Sequence, residues 1–231
     1  MKSTTPLLIL ATLLVVVTPS LSREVDLEKA SSKLRRFAND VIFEVEAGDR
    51  EKYSKRLPEA VIVEYFGQPQ PKPTAEKHMA EFLELTGIKK IDKAVEGTKS
   101  ASIGIYFGSQ DELAKSAKEI DRQITLERGY TYWTWWDEDK TINRAVVFMA
   151  TDKLSGLALE DRLIEQLFGV FGLPARSNEF DESCLSSEEQ VLTTLQPIDK
   201  ALLNFYYRAV PAGTKPRDFE KIFRDEWEKK R

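Results

Sequence analysis

Apolar positions change their period several times along this chain, and each change marks an element. Leu27, Ala30, Leu34, Phe37, Ala38 and Val41 recur at helical spacing and predict an opening amphipathic helix. "AVIVEYFG", Ala60 to Gly67, is dense in β-branched and aromatic residues and predicts a strand. "QPQPKP" then predicts an extended connection, because each proline fixes φ and removes a donor. Thr74 is expected to cap the next helix, whose Ala75, Met79, Phe82 and Leu83 share a face and which Gly87 ends. "IDKAVE" and "ASIGIYFG" predict two strands separated by a turn at Gly97. "SQDE", Ser109 to Glu112, has the spacing of a capping box and opens a helix through Ile120.

"YTYWTWW" and "INRAVVFMA" predict a hairpin around the polar "DEDKT". An amphipathic helix over Leu157–Phe171 comes next, followed by a stretch from Ala175 to about Thr194 without regular pattern. Pro197 suits the first turn of a helix whose stripe is Ile198, Ala201, Leu202, Phe205 and Tyr206. The last helix carries Phe219, Ile222, Phe223 and Trp227, with acids early and "KKR" late, as the helix dipole favours. Strands precede most long helices without a regular βα alternation. The expected fold is therefore α+β, a mixed sheet packed with amphipathic helices.

The N-terminus departs from this globular pattern. Lys2 precedes an apolar run from Leu7 to Val17, then Pro19 and small residues, which is the layout of a secretory signal peptide. The run is shorter than the roughly 20 apolar residues that span a bilayer. Residues 1–22 are expected to be removed before Arg23, leaving 23–231 as a single domain. Within it, a sheet-and-helix part would extend to about residue 152 and a helical part from about 153. Export implies a periplasmic or secreted protein that has no membrane contact after cleavage. Lys2 is the only charged residue of the leader, so the remainder carries 33 basic and 38 acidic residues, a net charge of −5. No basic block interrupts that mixture, so nucleic acid is not an expected partner. Cys184 stands alone, and no intramolecular disulfide can form.

Candidate chemistry centres on "RLIEQLFGVFGLP", Arg162 to Pro174. Zinc hydrolases of the HExxHxxGxxH type put two histidines one helical turn apart, a glutamate base between them, and a third histidine after a glycine turn. With that glycine at Gly172, Glu165 and Gly169 take the paired histidine positions, Gln166 the base and Ala175 the third ligand. Only Glu165 keeps a group that binds metal, so neither a metal nor another cofactor is expected. Glu165 and Gln166 are the sole catalytic candidates of the motif. His78, the one histidine, reads as a boundary residue at the edge of an apolar stripe. Cys184 lacks a nucleophile motif and reads as a partly buried thiol. Asp181, Glu182, Glu188 and Glu189 lack EF-hand spacing and read as a solvated loop.

"EQLFGVFGLPARS" (Glu165 to Ser177) and "LTTLQPIDKALLNFYYRAVPAGTKP" (Leu192 to Pro216) resemble segments of a bacterial family of exported proteins of unknown function. "LRRFANDVIFEVE" (Leu34 to Glu46) and "MAEFLELTGI" (Met79 to Ile88) are similar to earlier segments of the same family. The resemblance implies a zincin-like, degenerate metzincin-type core, not proteolysis. Glu165 keeps that family's first glutamate, whereas Gln166, Gly169, Ala175 and Arg176 depart from its polar residues. In zincin-like folds an edge strand beside the active-site helix holds the substrate by strand addition.

The combined reading is a non-catalytic binding module of the cell envelope, with its site in the cleft between the hairpin and the Leu157–Phe171 helix. Trp133, Trp135, Glu165 and Arg176 are the cleft candidates, and an envelope or extracellular peptide or protein is the expected partner. Alternation puts Tyr130, Tyr132 and Trp136 on one face of "YTYWTWW" and Trp133 and Trp135 on the other. One aromatic face packs in the core; the other is either covered by a helix or open as a platform. The alternatives are a hydrolase without histidine, using Glu165 as base or carboxylate ligand, and a purely structural envelope protein. Intact-mass measurement on exported material should give a chain that begins at Arg23. Retention of Leu7–Val17 would make the segment an anchor instead.

Overall fold

A computed structural model describes residues 31–43, 53–188 and 190–228. The leader, Leu27, Ala30, Glu189, the Trp227 side chain and the final "KKR" lie outside the described residues. Eleven segments follow in chain order: α1 (Ser31–Phe43), β1 (Ala60–Gly67), α2 (Lys72–Thr86), β2 (Lys89–Lys90), β3 (Ser100–Gly108), α3 (Gln110–Ile120), β4 (Tyr130–Trp136), β5 (Ile142–Ala150), α4 (Gly156–Val170), α5 (Pro197–Ala209) and α6 (Pro216–Phe223). One sheet of five strands has the order β2-β1-β3-β5-β4. Its first four strands are parallel, and β4 returns antiparallel to β5 at the edge. The fold is thus α+β with a mixed sheet.

Burial explains why the sheet has two unequal faces. Val61, Ala101, Ile103, Ile105, Ala145, Val147 and Met149 join the apolar stripes of α1, α2, α4, α5 and α6 in the main core. Helix α3 covers a smaller cluster built on Val146, Phe148 and Ala150, closed by Ile124 and Leu126. The main core contains a run of edge-to-face ring pairs, among them Phe82 with Phe168 at 4.9 Å and Phe43 with Phe219 at 5.6 Å.

Two sequence expectations are corrected here. Helix α2 begins at Lys72 with Pro71 before it, so Thr74 lies inside the first turn and does not cap. Prolines fit there because the first-turn amides need no intrahelical partner and φ is already near the helical value. "IDKAVE" is not a strand; pairing to β1 stops at Lys90, with a last bond from the Ile91 amide to the Val61 carbonyl at 2.9 Å. Asp92, Lys93, Val95 and Glu96 are exposed, so the segment buries no face that would pay for pairing.

The patternless stretch after Pro174 is held by specific polar bonds. Asp199, on the first turn of α5 and fully buried, accepts from Ser183 Oγ at 2.5 Å and from the amides of Cys184 at 3.1 Å and Gln196 at 2.9 Å. Burial pushes its carboxyl above the ordinary carboxylate range, and these three donors oppose that shift. Ser177 Oγ donates to Asp40 at 2.8 Å and ties the same stretch to α1. Replacing Asp199 by alanine removes a cap and leaves three donors without it, one buried and two partly buried. A loss of about 2–4 kcal/mol in stability is expected by urea denaturation.

Candidate functional site

Helix α4 has one face in the core, where Leu163, Ile164, Leu167, Phe168 and Val170 are buried. Its neighbouring face turns toward β4, and the residue that permits the approach is Gly169. A Cβ at Gly169 would overlap the Tyr132 ring, so the helix and the edge strand meet ring against backbone. The helix ends where the Leu173 amide bonds the Phe168 carbonyl at 2.9 Å. Gly172 follows with φ +85, and a Cβ there would overlap the Lys55 carbonyl. Tyr206 Oη donates to that same carbonyl at 2.6 Å, and Tyr207 Oη to the Phe171 carbonyl at 2.9 Å. Helix α5 thereby fixes the end of α4 and the turn beyond it.

Between α4 and β4 lies a cleft of about 820 Å³, within the range of small-molecule and peptide pockets. Glu165, Gln166, Gly169, Gly172 and Ala175 all line it, so the five positions matched to the zinc template do converge on one space. On the opposite side the lining runs through Tyr130, Thr131, Tyr132, Trp133 and Thr134 without a gap. Side chains of consecutive strand residues point to opposite faces, so a lining of this kind means the cleft meets β4 along its edge. The ladder gives the same result. The Ala150 amide bonds the Gly129 carbonyl at 2.7 Å, and with Tyr130 opposite Met149 the pairs toward β5 alternate from there. Thr131 and Trp133 therefore bond β5, while the backbone groups of Tyr130 and Thr134 point away from it.

The charged groups on the α4 side are mutually satisfied. Arg162 Nη1 donates to Glu165 Oε2 at 2.7 Å, and Arg176 reaches Oε1 at 3.1 Å and Oε2 at 2.5 Å. Asp161 accepts from the Leu192 amide at 2.8 Å; burial pushes its carboxyl up, against the pull of that amide. Gln166 differs from all of these. It is 4% exposed, it lines the cleft, and among the described residues no hydrogen bond reaches its carboxamide. Neither polar atom of that carboxamide is fully sealed, so it opens to the cleft.

Of the four cleft candidates, Glu165 and Arg176 are brought together as an ion pair, and Trp133 borders the cleft. Trp135 is not among the lining residues. It packs toward the α3 cluster, donates Nε1–H to Asp121 at 3.3 Å and carries the Arg144 guanidinium 4.7 Å from its ring centroid. The aromatic residues facing α4 are Tyr130 and Tyr132, with Trp136 further along. Alternation had separated these two sets; choosing the cleft face required knowing that α3 covers the other one. A bulge between Trp135 and Trp136 turns Trp136 out, 41% exposed, with the Lys55 ammonium 3.6 Å from its ring centroid.

His78 is not a boundary residue but fully buried, with Nε2 2.7 Å from Glu160 Oε1, and the carboxylate is what admits an imidazole there. It stands outside the cleft lining. Cys184 is partly exposed, with Sγ 3.4 Å from the Thr194 carbonyl. Burial, then the Asp199 charge, push its thiol well above the ordinary range, which suppresses the nucleophilic thiolate. Among the described residues, no group of three His, Cys, Asp or Glu side chains converges as a metal site.

A model described as a protein of unknown function, DUF2927, matches residues 19–225. No curated protein matches the chain. Two of the hairpin's three tryptophans, Trp135 and Trp136, separate by their surroundings. Trp135→Ala should cost about 2–3 kcal/mol, because it empties the α3 side of the sheet. Trp136→Ala should cost less than about 1 kcal/mol, the scale of an exposed cation–π contact. Equal losses in chemical denaturation would contradict this placement.

Proposed function

Since the chain belongs to this family, whose description assigns no activity, we propose from its geometry that it is a non-catalytic binding module. In this reading it is a bacterial, exported protein of the periplasm or cell exterior, built on a zincin-like scaffold without the zinc histidines. Its ligand is an extended peptide or protein segment that lies in the α4–β4 cleft as an added strand. The observation that carries the proposal is the cleft's course along the outer edge of β4. Unpaired strand edges are strong templates for another chain. Here the edge is recessed beside a helix, which limits access to single extended segments.

The residues at the template positions support binding over hydrolysis. Gln166 cannot take up a proton as a general base. Gly169 and Ala175 bring no ligating group, so the set does not fit a catalytic zinc. Glu165 spends both carboxylate oxygens on Arg162 and Arg176. What remains is a shaped, partly apolar cleft with polar groups along its lining, among them Glu127, Arg128 and Gln166, the usual make-up of a recognition site.

An array of immobilised, N-acetylated and C-amidated dodecapeptides of varied sequence tests the proposal. The native chain should retain a subset of them. Thr134→Pro removes an amide that points away from β5, a change an edge strand accommodates. It should keep the native circular dichroism and lose at least about tenfold in retention, since main-chain pairing supplies the affinity of strand addition. A folded Thr134→Pro chain that binds as the native one does would overturn strand addition.

A further inference from the structure

Gln166 is the one buried polar side chain on the α4 wall whose hydrogen-bonding capacity is unspent among the described residues. Its neighbours on that wall are occupied: Glu165 by Arg162 and Arg176, and Asp161 by the Leu192 amide. A carboxamide left without a partner at 4% exposure gives up most of its water and gains nothing inside the protein. The alternative to leaving it so is an apolar residue of the same shape, which is often neutral or stabilising. The position therefore carries a stability cost, and a ligand group is what would recover it.

The carboxamide also states what that group is. It presents two N–H donors and one carbonyl acceptor side by side, and it is neutral. A ligand carboxylate would use only the donors, and a ligand ammonium only the carbonyl. Each would also bring a charge into a wall whose own charges are already paired, which costs desolvation without a counter-ion. One residue of an extended main chain points its own N–H and C=O to the same side and matches both halves at once through a reciprocal N–H···O=C pair. We infer that Gln166 is the specificity-determining residue of the cleft and reads neutral main chain of the ligand, the N–H and C=O of the one extended residue that faces α4. The inference rests on the cleft reading above and adds the ligand group that α4 recognises.

The strand geometry gives this a signature. In an added strand, the N–H and C=O of alternate residues face β4 and those of the intervening residues face α4. The dodecapeptide best retained on the array is the probe, together with its singly N-methylated forms. Methyl groups on the β4-facing amides should weaken binding to the native chain and to Gln166→Leu alike. One amide of the intervening set should lose at least about tenfold against the native chain and nothing further against Gln166→Leu, the pattern of a coupled pair. Gln166→Glu, which keeps the shape but loses the donors, should bind the unmethylated probe as weakly as Gln166→Leu does at neutral pH. Gln166→Leu should melt at or above the native temperature, which separates lost recognition from lost folding, and Gln166→Glu is compared while its circular dichroism stays native.

Native-like affinity in Gln166→Leu, with Thr134→Pro still defective, would overturn the assignment of Gln166 and leave the cleft reading standing. Insensitivity of every intervening amide would do the same. Retention of no dodecapeptide, or full retention by Thr134→Pro, would overturn the cleft reading itself. Chitotetraose carries secondary amides on a sugar chain. Tighter binding of that compound than of any dodecapeptide, lost in Gln166→Leu, would overturn the peptide assignment.

Discussion

Everything at the site follows from how closely α4 approaches the edge strand. Helix and sheet normally keep about 10 Å between layers because side chains fill the gap. At Gly169 one layer of side chains is missing, and the Tyr132 ring occupies the space against the helix backbone. That contact narrows the space between α4 and β4 to a cleft. It also puts a phenol ring where a metal ligand would stand on the zinc template. The approach needs a rigid far end, which the Tyr206 and Tyr207 hydroxyls provide by holding Lys55 and Phe171 around the Gly172 turn.

The polar chemistry of the cleft is a consequence of bringing α4 and the following turn together. Arg176 arrives just beyond the turn and finds Glu165 on the helix, so the one carboxylate of the template is neutralised within the fold. Partly buried ion pairs of this kind contribute little net stability, but they occupy a group that would otherwise attract cations or protons. With Glu165 paired, the groups proposed to recognise the ligand are the backbone of β4, the rings of Tyr130 and Trp136, and the Gln166 amide, with Lys55, Glu127 and Arg128 also in the lining.

Much of the scaffold was legible in the sequence because it is written in local periodicity. The "SQDE" capping box forms as its spacing requires, with both reciprocal bonds present, and Pro197 opens α5. The hairpin turns at "DEDKT" as expected. What failed was decided at a distance. "IDKAVE" has strand-like residues but no layer to cover it, and His78 looks marginal on α2 until Glu160 arrives from α4. The cleft was legible only in part. The converging template positions could be read from helix spacing, whereas the preference for Trp136 over Trp135 depends on a bulge and on the placement of α3, neither of which leaves a local mark.

The central claim is that the outer edge of β4 is open to the cleft, and amide hydrogen exchange of the ligand-free protein tests it residue by residue. Thr131 and Trp133, bonded to β5, should exchange slowly, at least about 100-fold more slowly than Tyr130 and Thr134, whose amides point away from it. Protection of Tyr130 and Thr134 equal to that of their neighbours would mean the edge is already covered, and would contradict the account.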